Sequence, residues 1–389
     1  MNPLRSVIKL LYDATYSVVL SPLYFFSGFT KRDQNKIVFG CHLGTPAGNI
    51  LSFYKHCLAA DENKKIFWIA GNEETFQVLD REGYPVIRKK SLKGIYTCLT
   101  AKFFCYSSYI SDISFTLSRN SKPINLWHGT PLKKIEADIQ NGIYSIRYKH
   151  QWIFRFIQPW IFIKPYRMFT SSDYERACFE TAFKITKSEF YPSYPPRLIG
   201  LRRRNTQSEY KRILLAPTFR DGGSTNYDAL VDLKRINDYC KENNITITIK
   251  SHPADTSFDD LDYQELSHIE LAHRLTNIYT LLPEVDLVIT DYSSIFFDCH
   301  YLSIPFLLHW PDLRFYTSNC REFYFDPQQI LTEQISQNDD ELIKNIAIAL
   351  KGQPEISTTI FDKYEVASDY PLGIFEEITL APTPSRKSS

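Results

Sequence analysis

Four short polar motifs in this chain each close a run of β-branched and apolar residues. They are Leu126-Trp127-His128-Gly129-Thr130-Pro131, Ala216-Pro217-Thr218-Phe219-Arg220-Asp221, Lys250-Ser251-His252-Pro253 and Thr290-Asp291-Tyr292-Ser293-Ser294. In open α/β sheets the carboxyl ends of the strands line the ligand crevice, so two histidines, an arginine and a serine pair delivered there point to a phosphorylated ligand. The turn at Ser293 and Ser294 offers backbone N–H groups, two hydroxyls and the positive end of a helix, a set that suits a diphosphate, although Asp and Ser are also ordinary helix caps. Arg220 at a strand end suits bidentate phosphate recognition, or equally a surface ion pair, and Gly222 and Gly223 after it let the backbone approach a ligand. His252 is held by Pro253 on a strand next in sequence to that of Arg220. His128 lies in the other half of the chain. An imidazole with an ordinary pKa of ~6.5 is well suited to take a proton from an attacking hydroxyl at neutral pH, so His128 is the candidate base.

Weaker candidates surround these. Thr130, Lys133 and Lys134 follow His128, the two lysines adding positive charge where an acceptor would enter, and His42 and Asn49, after the first strand, fall on the same acceptor side. Asp298, Asp312 and Asp326 are placed to bind donor hydroxyls or to be ordinary solvated acids. The stretch Gln151 to Phe169 interleaves Trp152, Phe154, Phe156 and Trp160 with Arg155, Lys164 and Arg167, which suits a lipid headgroup surface or, more commonly, an aromatic core helix.

The elements that must position these groups alternate along the chain. Strand-like runs at Lys36 to Cys41, Lys65 to Ala70, Tyr84 to Ile87, Phe103 to Ser107, Pro123 to His128 and Met168 to Ser172 form one Rossmann-like series. A second runs through Ile213 to Ala216, Ile245 to Lys250, Val285 to Thr290 and Pro305 to His309, with helices at Tyr227 to Glu242 and Asn338 to Leu350. The polar stretch Leu201 to Arg212 between the two series is the expected linker. The expectation is therefore an α/β protein with two Rossmann-like domains facing a cleft, 31–200 and 201–380, preceded by an apolar helical segment, 1–30, and followed by a disordered tail, 381–389. The apolar segment is interrupted by Lys9, Asp13 and Pro22, so it reads as a helix on a membrane surface or packed on the body.

Composition agrees with a folded protein. The chain has 389 residues, 43% of them apolar, enough for two ordinary cores. Its net charge of +1 argues against nucleic-acid binding by bulk electrostatics. The eight cysteines contain no CxxC pair, so neither a zinc site nor a disulfide framework is expected, and a reducing cytoplasm fits. No metal or cofactor is expected.

At these residues the chain resembles the CDP-glycerol glycerophosphotransferases of teichoic acid and related capsule synthesis. Trp127 to Ile135 and Ile289 to Asp298 are similar to the family's two signature blocks, and the Arg220 and His252 motifs stand between them in the family's order. Glu322-Phe323-Tyr324-Phe325-Asp326 is similar to its closing segment. The resemblance implies a metal-independent fold of the GT-B type. It implies a CDP-glycerol or other CDP-alditol donor, and a polyprenyl-linked saccharide or growing polymer as acceptor at the cytoplasmic face of the membrane, where the protein would be peripheral. By carry-over His128 activates the acceptor hydroxyl, while Arg220, His252, Ser293 and Ser294, with Asp291 and Asp298, hold the donor and His252 assists departure of CMP. Two departures stand out. Ser193-Tyr194-Pro195-Pro196-Arg197-Leu198 replaces a Gly-x-Pro-Arg-Asn-Asp segment, and Glu136 replaces a common glycine. A transferase using a nucleotide sugar, or a non-catalytic scaffold of a polysaccharide synthesis complex, are the alternatives.

Overall fold

The computed structural model describes residues 3–352 and Phe361, apart from stretches at 42–45, 61–63, 204–208, 219–226, 228–229, 252–257, 259–262, 274–275 and 320–321. His42, Arg220 and His252 lie outside the described residues, as does the tail expected over 381–389.

Two parallel sheets organise the chain. The first contains β1 (Asp33–Gly40), β2 (Lys65–Ala70), β3 (Val86–Arg88), β4 (Ala101–Tyr106), β5 (Lys122–Asn125), β6 (Arg167–Thr170) and β7 (Phe190–Pro192), in the order β3-β2-β1-β4-β5-β6-β7. The second contains β8 (Lys211–Ala216), β9 (Ile245–Ile249), β10 (Ile269–Leu271), β11 (Leu287–Thr290), β12 (Phe306–His309) and β13 (Ile335–Ser336), in the order β10-β9-β8-β11-β12-β13. In each, the first strand of the series sits inside the sheet and the strand order reverses beside it, which is where such sheets open to a ligand.

Continuous apolar strands follow from burial on both faces. Successive side chains of a strand alternate between faces. Ile37 and Phe39 of β1 and Phe103 and Cys105 of β4 enter one core, while Val38 and Phe104 enter another on the opposite face. The second sheet buries Ile213, Leu215, Ile247, Ile249, Leu287 and Ile289 against Leu233, Ile236 and Cys240 of the helix Leu233–Glu242. That helix was expected from Tyr227. It starts six residues later because the Asp232 carboxylate accepts the Arg235 N–H and caps it. Strands β7, β10 and β13 were not expected; they are two or three residues long, too short for an apolar pattern.

The chain divides into two compact units, one holding Leu4–His128 with Arg147–Ile199 and the other Gly129–Ile146 with Gly200–Asp362. Residues 129–146 thus group with the second sheet, although the sequence placed them with the first. Backbone pairing is the reason: the Lys134 N–H donates to Glu322 O at 2.7 Å, and the Tyr324 N–H to Leu132 O at 3.0 Å.

The N-terminal helix, Pro3–Ser27, packs on the rest of the first unit. Gln158 donates to the buried Asp13 carboxylate at 2.6 Å, Ser17 donates to Phe156 O at 2.6 Å, and the Tyr24 ring stacks on Phe115 at 4.4 Å. Among the described residues, no helix is long and apolar enough to cross a membrane.

Candidate active site

His128 follows β5, in the first unit. Asn125, the last residue of β5, receives the Trp127 N–H on its side-chain oxygen at 2.8 Å and donates to Ser108 O at 3.2 Å. This ties the end of β5 to the end of β4. Trp127 takes a left-handed backbone conformation, φ 50°, and its ring is wedged edge-on between Phe179 and Phe183 at 6.0 and 4.9 Å. The turn turns His128 outward, and it is exposed. Its Nδ1 lies 3.2 Å from Ser107 O and 3.5 Å from Ser108 Oγ. A carbonyl oxygen can only accept, so this contact puts the proton on Nδ1 and leaves Nε2 as the basic nitrogen. Asp112 holds the carbonyl-bearing turn in place, accepting the Ser108 N–H at 2.9 Å and the Ser107 hydroxyl at 3.3 Å.

In the second unit, Asp291 follows β11 and is completely buried. One carboxylate oxygen accepts the N–H groups of Thr218 and Tyr292, both at 2.7 Å. Its observed work is to clamp together the segments leaving β8 and β11, and Thr218 stands two residues before Arg220. Asp298 is also buried and accepts from Tyr279 OH at 3.0 Å. The Ser293 hydroxyl accepts the Ile295 N–H at 3.3 Å, whereas Ser294, at the cap of the helix Ile295–Tyr301, makes no side-chain capping bond. A Cβ built on Gly129 would lie 2.7 Å from Ser294 Oγ. The residue after His128 therefore packs directly on the second serine of the turn, and glycine is what permits it.

Thr130 is buried. The Lys133 ammonium donates to Tyr316 OH at 3.1 Å, and the Tyr316 ring stacks on Tyr292 at 3.5 Å with 13° between the planes. Lys134 is held by its backbone, as above. Asn49 is buried at the start of the helix Gly48–Ala60, where it meets Leu126, Trp127 and Arg197. Asp312 accepts from Tyr292 OH at 2.8 Å, and Asp326 caps the helix Pro327–Ile330. Ser107, Asp112, Asn125, Arg197 and Tyr316 were not singled out from the sequence as site residues, since their polar atoms act through contacts with residues distant in the chain. Among the described residues, no group of three or more His, Cys, Asp or Glu could hold a metal ion.

Residues 23–365 match the CDP-Glycerol:Poly(glycerophosphate) glycerophosphotransferase family. The chain belongs to this family. Among its relatives in the glycerophosphotransferases are a teichoic acid poly(glycerol phosphate) polymerase of Bacillus spizizenii, 25% identical over 93% of this chain and 95% of that protein, and a teichoic acid glycerol-phosphate transferase of Staphylococcus aureus, 25% identical over 76% of this chain and 79% of that protein. A Bacillus subtilis polymerase of the same description is 26% identical over 77% of this chain but only 41% of its own length. A solved structure of the wall teichoic acid polymerase TagF superposes with a TM-score of 0.71 over 92% of each chain at 18% identity, a likeness of fold.

Proposed function

We propose that this glycerophosphotransferase moves glycerol phosphate, or a related alditol phosphate, from CDP-glycerol or its CDP-alditol counterpart to a hydroxyl of a lipid-linked saccharide or growing teichoic acid-like polymer, releasing CMP. The fold would be of the GT-B type. The observation that carries the mechanism is the Nδ1 contact of His128 with Ser107 O at 3.2 Å, which makes Nε2 the proton acceptor. Nε2 takes the proton of the acceptor hydroxyl as its oxygen attacks the alditol-bearing phosphorus. The bond from that phosphorus to the CMP oxygen breaks, and the alditol stays on the phosphorus, now a phosphodiester. Such transfers depend mainly on positioning and charge stabilisation. Arg220 and His252 are assigned, through the family motifs, to the diphosphate and the departing CMP, together with the hydroxyls of Ser293 and Ser294. The Asp291 clamp supports this by fixing Thr218 and Tyr292 at the ends of β8 and β11, and Asp298 is buried on the helix that follows the serine turn.

Association with the cytoplasmic face of a membrane is part of the same reading. On the N-terminal helix Val18, Val19, Leu23, Phe25 and Phe26 are exposed, and the helix Gln151–Ile157 beside it exposes Trp152 and Phe156. Of the stretch 151–169, where a lipid-facing surface or an aromatic core helix was expected, the helix Gln151–Ile157 buries none of its residues, whereas Phe169 lies in the core. Arg119 lies over the rings of Tyr24 and Phe25 at 5.5 and 5.2 Å, placing a cation beside the apolar face, as an anionic headgroup surface requires.

The test is CMP release by the purified protein with CDP-glycerol and, in parallel, CDP-ribitol, using a lipid-linked saccharide acceptor with and without EDTA. Acceptor-dependent CMP from one donor names the alditol, and equal rates in EDTA support a metal-independent reaction. His128→Ala should lower turnover by about 10²- to 10⁴-fold with CDP binding retained. Full turnover in folded His128→Ala protein would remove the base assignment, and UDP or GDP release from a sugar nucleotide would replace the donor class.

A further inference from the structure

We propose that the buried pair Arg197 and Asn49 is a positioning device for His128, acting through the Trp127 peptide. The segment Ser193 to Leu198, where the chain departs from its family's pattern, had no role assigned. In the structure its Arg197 is 3% exposed, and both its backbone N–H and its Nη1 donate to Asn49 Oδ1, at 3.2 and 3.0 Å. Asn49 passes the contact on. Its Nδ2 donates to Leu126 O at 3.0 Å and reaches Trp127 O at 3.4 Å. All these groups belong to the first unit.

The geometry gives this chain of contacts a task. Trp127 has φ 50°, a conformation a bulky residue holds only when its surroundings determine it. Asn125 holds its N–H, and Asn49 its carbonyl, on the two sides of the turn. That carbonyl belongs to the peptide plane joining Trp127 to His128, so its rotation carries the imidazole away from Ser107 O. A guanidinium on the amide oxygen polarises Asn49 and strengthens donation from its Nδ2. Arginine suits the role because it is charged at all working pH values and can present several donors to one acceptor. Asn49, expected to bind acceptor, thus acts on the base from behind.

The inference rests on His128 being the base, and the experiment separates the two. Asn49→Asp keeps the shape of the side chain and its partner Arg197 but replaces the donor with an oxygen that repels both carbonyls. The full chain is assayed for melting temperature, CDP affinity, donor KM and kcat, in wild-type and His128→Ala backgrounds. We expect a folded Asn49→Asp protein with CDP affinity and donor KM within about twofold of wild type and kcat lowered about tenfold or more. Arg197→Met should give a smaller loss of kcat, partly restored in Arg197→Lys. Asn49→Asp should cost nothing further once His128 is alanine. Full kcat in folded Asn49→Asp, beside an inactive His128→Ala, overturns the positioning role alone. An equal loss in both backgrounds also overturns it, in favour of a general packing role. Full kcat in His128→Ala removes the base reading itself.

Discussion

Gly129 shows how much one missing side chain decides. It follows the proposed base in sequence, and a Cβ there would lie 2.7 Å from Ser294 Oγ. Gly129→Ala should leave the fold intact but push that hydroxyl off its position. Removing a donor outright from an anion site costs about 10²- to 10³-fold in turnover, so a displaced one should cost about tenfold. Steady-state kinetics of Gly129→Ala, Ser294→Ala and the double variant would check this: if displacement is the cause, the double variant is no worse than Ser294→Ala. Two neighbouring positions explain themselves in the same local terms. Trp127 holds a left-handed conformation that costs ~1–2 kcal/mol for an L-residue, and Asn125 and Asn49 hold it there. Glu136 also takes a left-handed conformation, φ 48°, which glycine would hold without strain.

At the scale of elements, the parts legible in the sequence were those written in apolar periodicity. Strands β1, β2, β4, β8, β11 and β12 carry runs of apolar residues buried on both faces, β9 alternates buried Ile with Thr, and a polar motif marks where several of them end. The serine turn after β11 and the histidine after β5 could be read this way. What could not be read was which distant groups would meet them. Asp112 reaches His128 through the Ser107 turn, and Lys133 goes to Tyr316 rather than to open solvent. These are tertiary pairings, and local residue type does not encode them. The stretch 151–169 was open to two readings because aromatic content alone does not tell a buried face from an exposed one. Trp152 is 74% exposed and Phe156 63%. Exchanging both for aspartate should therefore leave the melting temperature unchanged within a few degrees, while binding to anionic phosphatidylglycerol vesicles in a sedimentation assay falls about tenfold or more. Unaltered vesicle binding by the double variant would remove this helix from the membrane surface.

For the molecule as a whole, the cysteines report on folding in both units. Among the described residues seven are free and buried, and no disulfide joins them. Burial pushes the thiols of Cys98 and Cys240 up to about 12, and it raises those of Cys57, Cys105 and Cys299 as well. In the unfolded chain these thiols ionise near an ordinary pKa of ~8.5. The folded value lies above the unfolded one, so the stability tied to keeping each proton is fully present below pH ~8.5. It is lost progressively as pH climbs toward about 12 for Cys98 and Cys240, at up to ~1.4 kcal/mol per pH unit for each thiol. Urea unfolding at pH 7.5, 9 and 10 should show midpoints that decline from one pH to the next, with iodoacetamide labelling these cysteines only beyond the midpoint. Midpoints that stay level across that range, or labelling of Cys98 or Cys240 in the native protein, would mean that the cores around them are open to solvent and that the sheets are less tightly covered than their packing indicates.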